Sequence, residues 1–278
     1  MNKKTSDLAF GRFLKFWRGV HGLSQEELAH RINSSPRHIS RMENGSSRPS
    51  AAIVMAIAEE LNLGKRDSNH LLVAAGYVPA EEKLDFNAPE LKWLRKAMTL
   101  TLRALDPYPT TLTDSSTNFL MVNRGWVGFF LKNVPQHTLD TFTNHYDFLF
   151  SRKGAGNIVS NWEDTLSVIL MTVQQRVLFT NDPADEAIRN KLASHPNLPP
   201  DWQQRAARIE PMASFRVQIE LDGRLQKFFS VNRMVDPLGP AAIGAEPHFT
   251  INTLYPEDEN LNLSGLIEGE LKHPLLFY

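Results

Sequence analysis

Two complete sets of helix-start signals follow each other closely between Ser24 and Met42. Ser24-Gln25-Glu26-Glu27 has the form of a capping box: the serine hydroxyl serves the free amides of the first turn, and Glu27 reaches back to the serine amide. The helix opened there turns Leu28, Ala29 and Ile32 inward and stops at Asn33-Ser34. Ser35 then caps a second helix, and Pro36 suits its first position, where a backbone N–H would find no partner anyway. This helix runs through Ile39 and Met42 until Asn44-Gly45 offers a left-handed stop. Each helix is only about two turns long, and the connection between them is very short, which describes a helix-turn-helix.

The flanks supply the packing partners. Phe10, Phe13, Leu14, Trp17 and Val20 recur at helical spacing in a first helix that Gly22 closes. Ser50 caps a fourth helix with Ile53, Val54, Ile57, Ala58 and Leu61 inward, and a fifth carries Leu71, Leu72 and Ala75 up to Gly76. Residues 1–76 thus read as an all-α domain of five short helices. They hold 11 Lys/Arg and 7 Asp/Glu, a net of +4, whereas residues 77–278 hold 19 and 24, a net of −5. A basic module on an acidic remainder is what a nucleic-acid partner predicts, although compositional drift gives the same split.

The motif decides between them. Leu23 to Ser50, LSQEELAHRINSSPRHISRMENGSSRPS, resembles the helix-turn-helix of the XRE family, related to the lambda and 434 repressors. The SQEELA opening, the ISRMENG exit and the RPS entry to the next helix all sit at family spacing. The resemblance implies a double-stranded DNA partner. It places Gln25 against a backbone phosphate, where a helix N-terminus already attracts anions. It places Arg37, His38 and Arg41 on the outward face of the second helix, toward base edges, and Asn44 and Arg48 near phosphates. Arginine suits guanine because its fork matches the O6 and N7 acceptors. Many repressors of this family open that helix with glutamine, whereas this chain has Ser35-Pro36, so the resemblance carries no target sequence over from the phage examples. His38 has a competing reading as a surface or phosphate-contacting histidine, and Arg41 as a solvent-exposed partner of Glu43. One such module touches too few base pairs for a specific site, so a homodimer on an inverted repeat is expected.

Residues 77–87 read as a linker: Tyr77-Val78-Pro79-Ala80-Glu81-Glu82 is turn-forming and charged. From 88 to 278 the chain alternates between periods. Pro89 opens a helix with Leu91, Leu94, Met98, Leu102 and Leu105 on one stripe, a core face or a dimer seam. Thr110–Thr113 and Phe119–Val122 form strands around the Asp114-Ser115-Ser116 turn. Three or four helices follow, the clearest from Trp162 to Phe179 with Leu166, Ile169, Leu170, Val173 and Val177 inward, and a short one begins at Trp202. Phe215, Val217, Ile219 and Leu221 then share one face up to Asp222-Gly223, a strong hairpin signal. Leu225, Phe229 and Val231 continue the alternation on the return strand, and His248–Leu254 makes a third. Two strands, then helices, then three antiparallel strands is the order of a PAS-like α+β domain.

VAAGYVP after the helix-turn-helix, Asn123 after FLMV, Asn144 with Phe148 and Phe150, the Asn161-Trp162 pair and Trp202 resemble the MmyB-like transcription regulators. That family couples an XRE helix-turn-helix to a PAS-like domain that senses small apolar molecules such as fatty acids. The resemblance implies a ligand site, and the aromatic-rich set Trp126, Phe129, Phe130, Phe148, Phe150, Trp162 and Trp202 is its expected lining, with Asn144 and Asn161 as polar anchors. The usual Trp-Asn after the second strand is Val122-Asn123 here, and a tryptophan appears instead at Trp126. Aromatic residues at such spacings also serve simply as core, Asn161 as the cap of the helix after it, and Asn123 as the cap of the helix at Arg124.

Other classes fare poorly. The absence of cysteine removes disulfides and thiolate chemistry. No G-x-S-x-G, P-loop or H-E-x-x-H is present, and the nine histidines include no i, i+4 pair, so neither an enzyme nor a metal or other cofactor is expected. No apolar run approaches a membrane span, and Arg12 and Lys15 interrupt the start, so a cytoplasmic protein is expected. Two functions remain: a regulator whose second domain answers to an apolar ligand, or one whose second domain is a ligand-free assembly or partner module.

Overall fold

The computed structural model describes residues 3–77, 85–180, 183–209, 216–235 and 249–278, apart from the side chains of residues 3–8 and 180. In the N-terminal unit, five helices form where the caps require: α1 (Lys3–Val20), α2 (Gln25–Arg31), α3 (Pro36–Glu43), α4 (Ala51–Glu60) and α5 (Lys65–Ala74). Ser24 Oγ accepts from the Glu27 amide at 3.1 Å and Glu27 Oε2 from the Ser24 amide at 2.6 Å, completing the capping box. Ser35 Oγ and Ser50 Oγ cap α3 and α4 by accepting from the His38 and Ile53 amides, with no reciprocal carboxylate. Phe10, Leu14, Leu28, Ile39, Met42, Val54, Ile57, Leu61 and Leu71 are sealed in one core. Val20, expected inward, is 58% exposed as the last residue of α1. Gly11 lets α1 press on α3: a Cβ there would stand 2.3 Å from the Glu43 carbonyl oxygen.

The second unit opens with a 3-10 turn (Pro89–Leu91) and α6 (Lys92–Ala104). Strands β1 (Thr110–Thr113) and β2 (Phe119–Val122) follow at the expected positions. Between β2 and the next strand the described residues hold six α-helices, where three or four and the short one at Trp202 were expected. These are α7 (Arg124–Leu131), α8 (Gln136–Leu139), α9 (His145–Phe150), α10 (Trp162–Thr180), α11 (Pro183–Ala193) and α12 (Trp202–Arg208). Strands β3 (Arg216–Leu221), β4 (Arg224–Val235) and β5 (Phe249–Pro256) complete an antiparallel sheet in the order β2-β1-β5-β4-β3. The first and last strands therefore meet in the middle, and helices cover both faces. On one face α6 lays Met98 and Leu102 over Leu112, Met121, Phe249 and Ile251, so its stripe is a core face. On the other, α7, α9 and α10 pack onto Val122, Ile219, Leu221, Phe228 and Leu254.

The hairpin register corrects one expectation. Asp222 and Gly223 both have positive φ, 51° and 73°, as a two-residue turn of this twist demands. Leu221 then pairs with Arg224 and Val217 with Phe228, which turns Phe228 into the core and Leu225 and Phe229 outward. Phe228 is fully buried, whereas Phe229 is 38% and Leu225 54% exposed. Most of the expected linker, as well as Phe215 and His248, lies outside the described residues; Tyr77, its first residue, packs against the N-terminal core. Among the described residues no helix is long and apolar enough to cross a membrane.

Candidate functional site

The buried face of α3, Ile39 and Met42, points its opposite face into solvent with Arg37 and Arg41 both exposed. His38 is half-buried, and its amide donates to Ser35 Oγ at 3.2 Å. Asn44 is exposed at the C-cap of α3. The result is a short helix with a cationic outer face, rigidly capped at its start.

Gln25, half-buried, donates from Nε2 to Glu43 Oε2 at 2.7 Å. The same carboxylate accepts from Arg18 Nε at 2.7 Å and Nη2 at 3.2 Å, and Arg18 Nη1 donates to the Leu23 carbonyl. The Glu43 side chain is only 4% exposed, so it is spent on Arg18 and Gln25 rather than on Arg41. Its hydrogen bond to Arg18 raises that guanidinium above its usual pKa. Arg48 turns toward its own domain, donating to the Ala75 and Gly76 carbonyls at 3.1 Å each and lying 4.9 Å from the Tyr77 ring. Tyr77 answers with a hydroxyl bond to the Pro49 carbonyl at 2.9 Å. The cation thereby sits at the negative end of α5 and closes the domain there.

In the second unit the aromatic candidates come together as packed core. Trp126 lies 5.1 Å from Phe130 and 5.6 Å from Phe148, and Phe130 and Phe148 meet edge-on at 4.8 Å. Trp162 is buried, donating from Nε1 to the Leu149 carbonyl at 2.6 Å, and Trp202 packs half-buried against the same cluster. The two asparagines do structural work nearby. Asn144 caps α9, accepting from the Tyr146 and Asp147 amides, and its Nδ2 donates to the Ser116 carbonyl and Asn118 Oδ1 at 3.0 Å each. Asn161 Oδ1 accepts from the Gln218 amide at 3.4 Å.

Asn123 is fully buried and caps α7, as one reading held. Its Oδ1 accepts from the Trp126 and Thr110 amides, and its Nδ2 donates to the Tyr108 and Leu102 carbonyls. One side chain thus ties the end of α6, the start of β1 and the start of α7.

Two histidines were not singled out by their sequence context. His145 lies 5.4 Å from Phe119 with its Nδ1 sealed and unpartnered, and burial pushes its pKa down to about 4. His273 stands edge-on to Trp126 at 5.4 Å, and burial lowers its pKa as well. No sequence pattern marks either: His145, although beside Asn144 and Phe148, meets Phe119 from another element, and His273 meets Trp126 across the domain. An open cleft lined by Gln136, Asp140, Glu270, Lys272, His273 and Pro274 lies over this second histidine. Among the described residues no group of three or more His, Asp or Glu could hold a metal ion.

The helical unit with its cationic α3 and the α+β unit around an aromatic cluster match two known family domains, which together make this a DNA-binding transcription regulator with a ligand-binding domain. Comparison with known families agrees on both halves: a helix-turn-helix family matches residues 14–67, and the MmyB-like transcription regulator ligand binding domain matches residues 94–243. The second match spans more than half of the chain, which belongs to the MmyB-like transcription regulators. Comparison with curated proteins gives no significant match.

Proposed function

We propose that the N-terminal domain binds an inverted repeat in DNA as a homodimer, and that a small apolar molecule such as a fatty acid sets its affinity through the second domain. The observation that carries the DNA reading is the exposed pair Arg37 and Arg41 on a capped helix whose other face is buried. Arg37, near the start of α3, is the base reader, with Arg41 and His38 beside it and Asn44 at the phosphate backbone. Gln25 sits at the N-terminus of α2, where a phosphate is favoured, and Glu43 holds its amide in place. Arg48 reaches phosphate only after leaving the Ala75 and Gly76 carbonyls, so its main part is to shape the loop after α3.

For the ligand, Trp126, Phe130, Phe148, Trp162 and Trp202 supply an aromatic wall, flanked by Asn144 and Asn161. A second reading, an assembly or partner module without a ligand, draws on the mutual contact of the first three rings, which leaves them packed as core. Selection of bound sequences from random DNA, followed by affinity and stoichiometry on the selected site against salt, tests the DNA half. A two-fold symmetric site with half-sites about one helical turn apart and two chains per site is expected. Mass spectrometry of an extract of the denatured protein tests the ligand half: an apolar small molecule supports the sensor, and a clean extract supports the partner module.

A further inference from the structure

We propose that α6 is the homodimer seam: it pairs antiparallel with α6 of a second copy of this chain through Trp93, Ala97, Leu100 and Ala104. The proposal rests on the homodimer read from the DNA half and supplies the contact which that reading lacks. One face of α6 is already spent, with Met98 and Leu102 buried on the sheet. The four seam residues lie on the other side, at successive spacings of four, three and four, the repeat of a helix–helix seam. All four are exposed, Trp93 at 71% and Leu100 at 55%, on a helix of 13 residues. A helix face turned only to water carries polar residues at such positions.

The order of side-chain sizes names the occupant and its direction. Run antiparallel, Trp93 faces Ala104 of the second copy and Leu100 faces its Ala97, so every layer of the seam pairs a large side chain with a small one. Run parallel, two indoles would crowd one layer and two layers of paired alanines would leave gaps, against the even density of packed interiors. The stripe is its own complement when reversed, and the contact is isologous, as in a two-fold dimer. Charge acts the other way but more weakly. Lys96 and Arg103 share one flank of the stripe, and the antiparallel pair brings the two flanks together. Both are exposed, where charge pairs are worth little. Each is also held over a ring: Lys96 Nζ lies 5.9 Å from that of Trp93, with Lys92 at 5.6 Å, and Arg103 lies 4.7 Å from that of Tyr278. Packing therefore decides. The two α6 starts stand about 20 Å apart in this pair, a gap that the expected linkers can widen to the roughly 34 Å between half-sites.

The test uses the full-length chain, which has no cysteine, so any cysteine introduced is unique. Trp93→Cys and Ala104→Cys chains, mixed and oxidised, should form a disulfide between the two kinds. Neither should link to itself, since like positions lie about 16 Å apart along an antiparallel pair. In sedimentation equilibrium without DNA the unaltered chain should dimerise at micromolar concentration, because so short a seam lies at the small end of interface sizes. Leu100→Lys should weaken that dimer more than about tenfold. It should weaken binding to the inverted repeat selected from random DNA by a similar factor, and spare binding to one half-site. The unfolding midpoint of dilute, monomeric protein should stay in place, since Leu100 is exposed there. A disulfide of Ala104→Cys with itself, no disulfide in the mixture, a chain still monomeric at about 100 μM, or a dimer indifferent to Leu100→Lys would overturn the proposal. Self-association is read without DNA, so the two failures are distinguishable. A seam that forms in a chain with no preference for an inverted repeat sinks the DNA reading alone, and an inverted-repeat dimer unmoved by Leu100→Lys sinks the seam alone.

Discussion

Gln25 Nε2 lies 2.7 Å from Glu43 Oε2, so the first residue of α2 is tied to the last residue of α3. Arg18 from α1 shares that carboxylate, and three helices converge on one nearly buried charge. Removing one partner of such a pair strands the other away from water. Glu43→Ala should therefore destabilise the N-terminal domain by about 3 kcal/mol, measured by denaturant unfolding followed at Trp17. It should also weaken binding to all DNA sequences alike, because the angle between α2 and α3 is no longer held.

Arg37 and Arg41 extend from the same face but should not be equivalent. Arg37→Ala is expected to cost about 1–3 kcal/mol on the selected site and relax preference at one base pair. Gln25→Ala should weaken cognate and random DNA similarly, and reduce the salt slope by about one. Equal losses on both kinds of DNA for Arg37→Ala would remove it as the base reader.

The hairpin between β3 and β4 offers a stability test of register. Phe228 is fully buried against Phe129, while its neighbour Phe229 faces outward. Phe228→Ala should cost about 3–5 kcal/mol and Phe229→Ala less than about 1, compared by chemical denaturation of the two variants. A reversed order would mean that the two-residue turn at Asp222-Gly223 does not set the pairing.

That hairpin also marks where the sequence stopped being legible. Caps act locally, so Ser24, Ser35 and Ser50 could be read directly, and the helix boundaries they set agree with the structure. Strand alternation predicts a face only once the turn is counted through, and β4 carries apolar residues on both faces, Phe228 on one and Leu225 and Phe229 on the other. Helix α11 went unread because Leu192 is the one described residue of it that is buried, which leaves almost no periodic signal. Long-range pairs were the hardest. Glu43 meets Arg18 across 25 positions, and His273 reaches Trp126 from the far end of the chain; neither spacing is periodic. Asn123 was legible as a cap, but not as the tie to Thr110 and Tyr108.

Buried histidines make stability pH-dependent in a definite direction. The pKa of His145 falls from 6.5 to about 4 on folding, so the unfolded chain takes up its proton first as pH drops. Its contribution is intact above about 6.5 and is lost progressively as pH falls toward 4, by about 3 kcal/mol in all. His273, lowered by the same cause, adds in the same sense. Unfolding free energies at a series of pH values should therefore slope less steeply below 6.5 in His145→Gln than in the unaltered chain. Identical slopes would show that His145 titrates normally in the folded state.

A fatty acid entering the second domain must part rings that now touch. Phe130 and Phe148 meet at 4.8 Å with Trp126 against both, so an acyl chain has to separate them before it gains contact. That reorganisation is a fixed cost, whereas each methylene then buried adds up to about 0.8 kcal/mol, or about fourfold in affinity. Short acids should therefore bind poorly and longer ones progressively better until the space is full. Tryptophan fluorescence during titration with fatty acids of increasing length reads this out, and Trp126→Phe isolates the reporting ring. Because Asn144 already spends both amide protons on Ser116 and Asn118, its substitution by alanine should lower stability more than it lowers affinity. Occupancy should change DNA affinity only by the difference in ligand affinity between the two states of the protein. A response that is flat with chain length, and unaltered in Trp126→Phe, would leave these rings as plain core and transfer the regulatory role to a protein partner.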